Sequence, residues 1–161
     1  MGTGVAVQSA DGLPFGGHNS VATATELWQA LEKKKLVGPE RINVLPFEGN
    51  QPHGAIQQVL SGLLTLDGRT AKVIVKVNHG GEGATLASVY ADPNENLRAY
   101  TVMYKMAEGY DPGAKDWFWA KYAPDGALDK SPDGKPLAGR IVMCIACHKA
   151  IGGDDLETLT K

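Results

Sequence analysis

The sequence predicts a β-rich α+β fold: a predominantly antiparallel β-sheet of about five strands, an N-terminal helix and a short C-terminal helix. Three observations lead there. Only "TATELWQALEKKK" sustains a helical period ahead of the C-terminal region. The middle of the chain alternates apolar and polar residues with period two. The chain also carries 20 glycines and 9 prolines, too many for a bundle of long amphipathic helices.

In chain order, the first 20 residues, "MGTGVAVQSADGLPFGGHNS", are Gly-rich and polar and read as a loose arm. Residues 21–161 read as one domain, a size that buries a real core. In the helix that follows, Thr23 and Glu26 have the spacing of a capping box. Leu27, Ala30 and Leu31 form its apolar face, Lys33, Lys34 and Lys35 suit the negative end of its dipole, and Gly38-Pro39 stops it. "RINVLPFEG" reads as a short strand. "AIQQVLSGLLTLDGRTAKVIVKVN" reads as a hairpin turning at Asp67-Gly68. Val73, Val75 and Val77 take one face of it, while Thr70, Lys72, Ile74 and Lys76 take the other. "RAYTVMYKMA" and "DWFWAKYA" are two further strands. "PDGALDKSPDGKPLAG" is a turn-rich loop leading into the short helix "RIVMCIACHK".

Net charge is −2 and the pI about 6.1, so nothing points to nucleic acid or an anionic membrane surface. No apolar run approaches a membrane span.

Both cysteines of the chain lie in "MCIACHKA". A disulfide between Cys144 and Cys147 would close a loop too short to add much stability. A redox dithiol would be expected beside a strand–helix unit near the start of its domain. Zinc would require two more ligands at suitable spacing. C-x-x-C-H, the attachment motif of c-type haem, accounts for all three residues. Cys144 and Cys147 form thioethers to the two vinyl groups, and His148 becomes an axial iron ligand. One covalently attached haem c is the expected cofactor. The opening residues lack the basic and apolar regions of a secretory leader. Haem c is attached outside the cytoplasmic membrane in bacteria, so the expected compartment is the periplasm, with a leader already removed.

Two haem c folds fit poorly. The small all-helical class carries its motif near the N-terminus and a Met ligand downstream, and no Met follows Cys147. The four-helix class requires helices this composition does not supply. The stretch "TVMYKMAEGYDPGAKDWFWAKYAPDG", a Gly/Pro loop and then "CIACHK" instead resembles the cytochrome P-460 family, which includes the β-sheet cytochromes c′. The resemblance is good over residues 100–149 and extends back to about Leu63.

The resemblance implies a curved antiparallel sheet, a homodimer, His148 as proximal ligand and an iron open to small gaseous or nitrogenous ligands. Members whose haem edge is cross-linked to a lysine oxidise hydroxylamine or nitric oxide. Members without that bond bind nitric oxide and carbon monoxide, some with peroxidase-like chemistry. The cross-linking lysine lies in a V-x-V-K context, which Val73-Ile74-Val75-Lys76 matches. Lys72 is the alternative, and the ordinary reading of both is as solvent-facing lysines on an edge strand. A cytochrome or cupredoxin is the expected redox partner. The tail "GGDDLETLTK" lacks the aromatic residues expected after the haem helix.

Further side chains bear on the distal side. His79, and with less claim His53 or His18, could supply a sixth ligand; so could Met103 or Met106. Any of these would give an electron-transfer cytochrome without an open site. Trp117, Phe118, Trp119 and Tyr122 are expected in the core or against the porphyrin. Among Glu82, Asp92, Glu95 and Glu108, any could serve as a proton-accepting carboxylate.

Overall fold

The structure is a computed structural model and describes residues 13–157. It is an α+β fold built on a six-stranded sheet. The strands are β1 (Phe47–Glu48), β2 (Ile56–Leu66), β3 (Arg69–His79), β4 (Leu97–Lys105), β5 (Trp117–Tyr122) and β6 (Ala138–Gly139). Every neighbouring pair is antiparallel and the spatial order follows the chain, β1-β2-β3-β4-β5-β6. Helix α1 (His18–Lys33) covers one face. Helix α3 (Val142–Ile151) lies on the other, and α2 (Leu86–Ala91) sits in the β3–β4 connection.

The hairpin forms where the sequence places it. Asp67 and Gly68 both adopt positive φ, 54° and 74°, the requirement of a two-residue turn whose twist matches its strands. Below that turn β2 and β3 pair without interruption from Leu66↔Arg69 to Ile56↔His79. The period-two alternation then partitions the molecule. Val73, Val75 and Val77 join Tyr100, Val102, Tyr104, Phe118, Ala120 and Tyr122 in one core under α1. Ile74, Met103, Trp117 and Trp119 face the opposite way and form a second, smaller core with Ile141, against which Cys144 and Ile145 of α3 pack.

Helix α1 starts earlier than the Thr23–Glu26 spacing predicts. Its N-cap is Gly17, with no side-chain cap, and Phe15 just before it is buried and bridges to Gly139. That contact draws the helix start back into what reads as arm; residues 1–12 lie outside the described residues. Ala24, Leu27 and Leu31 are fully buried. The helix ends at Lys33, before Lys34 and Lys35, where the Leu36 amide turns back to the Leu31 carbonyl at 3.0 Å.

The strand expected over "RINVLPFEG" shrinks to Phe47–Glu48. The residues before it spend their polar groups on side-chain anchors instead of a ladder. The buried Arg41 guanidinium donates to Asn94 Oδ1 (2.6 Å), to the Tyr100 hydroxyl (3.1 Å), and to the Pro93 and Gly38 carbonyls. The Val44 carbonyl accepts from Gln58 Nε2 at 2.5 Å. β6, read as loop from the sequence, consists of two residues paired with Trp119 and Ala120. Among the described residues, no helix is long and apolar enough to cross a membrane.

Candidate functional site

α3 spans Val142–Ile151 and ends at Gly152, whose φ of 82° halts the helix. Positions i, i+3 and i+4 share a helix face, so Cys144, Cys147 and His148 turn the same way. Both cysteines are free thiols, Cys144 half-buried and Cys147 exposed, and His148 is buried.

That face borders a cleft against the sheet. One lobe, about 310 Å³, is lined by Ile74, Lys76, Thr101, Met103, Trp119, His53, Cys144 and His148, with the strand backbone of Val102 and Ala120 as floor. An adjoining lobe of about 430 Å³ is lined by the loop residues 50–53 with Gln57, Lys76, Cys147, His148 and Ile151. The two lobes share His53, Lys76 and His148, so the thiols stand at one rim each with the histidine between them. A larger surface groove beside α1, about 740 Å³, is lined by Trp28, Tyr122 and the loop around Gly126, apart from the cleft and its thiols.

His148 is held from three sides. Its Nδ1 donates to the Leu156 carbonyl at 2.8 Å, its ring lies 4.7 Å from that of Trp119 at a steep angle, and the His53 ring stands 6.3 Å away at 89°. With Nδ1 committed to a carbonyl, the tautomer that leaves Nε2 as acceptor is favoured, the arrangement typical of metal-ligating histidines. Burial lowers the His148 pKa, and the Leu156 carbonyl opposes that shift. The segment carrying Leu156 is itself tied to the sheet. Trp117 Nε1 donates to the Asp155 carbonyl at 2.6 Å, Lys105 pairs with the Asp155 carboxylate at 2.7 Å, and Lys72 pairs with Glu157 at 2.6 Å. The tail therefore needs no aromatic residue of its own; its backbone, held by Trp117, and two ion pairs fasten it.

Lys76 is only 5% exposed, and β3 is an interior strand, paired on both sides. The ordinary reading of a solvent-facing lysine on an edge strand does not hold for it. Burial lowers its pKa, and the Cys147 thiol nearby counteracts this. Lys72 shares the face but lies beyond the cleft, engaged with Glu157. Period two could not separate the two lysines; the position of α3 over the sheet does.

His79 is fully buried, but with Gln58, on the side away from α3, where its Nε2 and Gln58 Oε1 are 2.9 Å apart. It is not a cleft residue, because β3 carries it on the valine face. Met106 packs into the α1-side core, while Met103 does line the cleft. Of the aromatic cluster, Phe118 and Tyr122 belong to the α1 core and Trp117 and Trp119 to the α3 side. None of Glu82, Asp92, Glu95 or Glu108 borders the cleft.

The residue that sequence reasoning undervalued is His53. It sits in the loop before β2, and its Nδ1 lies 3.2 Å from Thr101 Oγ1. Thr101 in turn accepts from Asn78 Nδ2 at 3.2 Å, and Asn78 Oδ1 accepts from Gln57 Nε2 at 3.0 Å. Burial, with the charges of Lys76 and His148 adding to it, pushes the His53 pKa down to about 4. Its ring is therefore neutral at physiological pH. Burial also pushes the Cys144 thiol up to about 11.

The donor set fits a covalently held haem. Two thiols and an imidazole converge from one helix on an apolar-walled cleft. In that wall the indole N–H of Trp119 is buried with no hydrogen-bond partner among the described residues, an unmet donor of the kind a bound group satisfies. No three His, Cys, Asp or Glu side chains among the described residues cluster closely enough to hold a metal ion unaided. The chain matches no protein-family model, no curated protein and no solved structure.

Proposed function

We propose that this protein is a mono-haem c-type cytochrome whose iron meets small nitrogen species such as hydroxylamine or nitric oxide. One observation carries the reading: Cys144, Cys147 and His148 border a single cleft whose opposite wall holds a buried lysine, Lys76. The resemblance of residues 100–149 to the cytochrome P-460 family supports the same reading.

Cys144 and Cys147 would hold the haem through thioethers, and His148 would bind its iron through Nε2. The haem would supply a redox-active iron able to bind and oxidise small ligands. The chain's own residues do the rest. The Leu156 carbonyl fixes the rotation and tautomer of His148. Ile74, Met103 and Trp119 give an apolar wall that excludes water and so strengthens every polar contact inside. Lys76, being desolvated, is more readily neutral than an exposed lysine, so its nitrogen lone pair would be available toward a haem edge, where forming a bond would also need a two-electron oxidant such as a peroxide. With no carboxylate at the cleft among the described residues, Lys76 is the side chain there placed to take or give a proton. Periplasmic location, a cytochrome or cupredoxin as redox partner, and a homodimer belong to the same reading.

The test is to produce the protein together with a haem c maturation system and to measure chain mass and the ferrous spectrum with and without carbon monoxide or nitric oxide. The expected result is one covalent haem, lost in Cys144→Ser/Cys147→Ser, and a spectrum that responds to nitric oxide. A red-shifted, broadened Soret band that disappears in Lys76→Met but persists in Lys72→Met would add the lysine bond and favour oxidation over simple binding. A chain that leaves the maturation system without haem would refute the proposal.

A further inference from the structure

We infer that His53 is a second, displaceable protein ligand to the iron, standing opposite His148. The inference rests on the haem reading above and adds to it a residue and a mode of control.

The first support is distance. With a metal–nitrogen bond of about 2 Å and a ring centre roughly 1 Å behind the nitrogen, two imidazoles across one metal stand about 6 Å apart, centre to centre. The His53 and His148 rings stand 6.3 Å apart. The two separations agree, so a metal ion held by both Nε2 atoms would require no change in the distance between the ring centres.

The second support is how the two rings are held. Each commits its Nδ1 to a protein oxygen: His148 to the Leu156 carbonyl, His53 to Thr101 Oγ1. A hydroxyl oxygen has two acceptor lone pairs, so Thr101, which accepts from Asn78 Nδ2, has a second lone pair able to accept the Nδ1–H of His53. In that tautomer the lone pair of His53 is on Nε2, the nitrogen a metal would take. Gln57 holds Asn78 in turn, so the orientation of His53 is set by a chain of side chains rooted on β2, β3 and β4, buried at Gln57 and Asn78 and half-buried at Thr101.

The third support is location. His148 is on a helix packed against the sheet, whereas His53 lies in the loop between β1 and β2, tied by Thr101 alone among the sheet side chains described. A loop ligand with one tether can leave the metal without unfolding the sheet. An exogenous ligand such as nitric oxide would therefore compete with His53 for the site opposite His148, and occupancy of that site would be set by the difference between the two affinities.

The test is spectroscopic, on the haem-loaded protein. The wild type is expected to be low-spin and six-coordinate in the ferrous form. His53→Ala is expected to become high-spin and five-coordinate, and to bind carbon monoxide at least about tenfold faster, because no internal ligand has to leave first. His53→Met, which offers a different donor from the same position, is expected to stay low-spin and, in the ferric form, to gain a thioether-to-iron charge-transfer band; a purely structural role for His53 would give no such band. Should covalent haem be present but high-spin in the wild type, with carbon monoxide binding unchanged in His53→Ala, the inference falls and the haem reading stands. Should no covalent haem form, both fall together.

Discussion

The Nδ1 of His148 donates to the carbonyl oxygen of Leu156 at 2.8 Å, so the segment after α3 reaches back and fixes the orientation of the one buried imidazole on that helix. The acceptor is backbone, so the Leu156 side chain is not what matters; the path of the chain is. Asp155 and Leu156 both adopt positive φ, 55° and 60°, conformations that non-glycine residues hold only when their surroundings enforce them. The enforcement comes from Trp117, Lys105 and Lys72.

Trp117→Phe should therefore loosen the tail and disturb His148 without a direct contact to it. The indole N–H donor to Asp155 is lost, and the fully buried site keeps its aromatic filling. A hydrogen bond of this kind contributes about 1 kcal/mol. We expect faster proteolysis after Ile151 and a shift of the His148 Nδ1 resonance in ¹⁵N NMR. An unchanged resonance would show that the tail does not hold the imidazole.

A second expectation concerns acid. Burial, with Arg41 adding to it, pushes the His79 pKa down to about 4, against about 6.5 in an unfolded chain. The folded state prefers the neutral ring, so the unfolded chain binds more protons between those values. The stabilisation is fully present above about pH 6.5 and is lost as pH falls toward 4. Its size is at most about 3 kcal/mol. Chemical denaturation of wild type and His79→Gln across this range should show a shallower pH dependence in the variant. Equal slopes would refute the assignment.

Gly126 should not tolerate alanine. Its φ is +91°, and an added Cβ would meet the Trp28 ring at 2.5 Å. Trp28 is itself packed against Tyr100 and Tyr122, with centroids at 5.4 and 4.9 Å, so the ring has little room to retreat. Backbone strain and overpacking each cost about 1–3 kcal/mol. A clear fall in Tm is expected for Gly126→Ala, and no fall would mean that the loop and ring move freely.

Leu27→Ala tests the partition of the sheet. Leu27 is fully buried in the core beneath α1. The substitution should cost about 3 kcal/mol. Because the cleft is on the other face, ligand binding there should be unchanged in the fraction that remains folded. A comparable loss of cleft binding would mean that the two faces are coupled.

Much of the fold was legible because its signals are local. Asp67-Gly68 demands positive φ at both turn positions, and period two assigns the valines and lysines of β3 to opposite faces. That Cys144, Cys147 and His148 turn the same way was legible because their spacing matches a helix turn. What stayed hidden depends on partners distant in sequence. Whether β3 is an edge or an interior strand decides whether Lys76 is solvated or buried, and the pairing with β4 settles that from outside β3. His53 lies in "QPHG", where no period operates; only the folding of its loop over Thr101 brings it to the cleft. His79 looked the stronger candidate, yet it is carried to the other side of the sheet.

The strand order that follows the chain also has a temporal meaning. Each of β2 to β5 pairs with its immediate sequence neighbour, so the wall of the cleft can assemble from hairpins alone, by the short-range contacts that favour fast folding. α3 then has a finished surface to settle on, and the tie from Trp117 to Asp155 can close only after it has done so. Until that closure both thiols are on a helix accessible from outside. Once α3 has settled, Cys144 is half-buried against the second core while Cys147 stays exposed, so the two thiols differ in how long they can be reached.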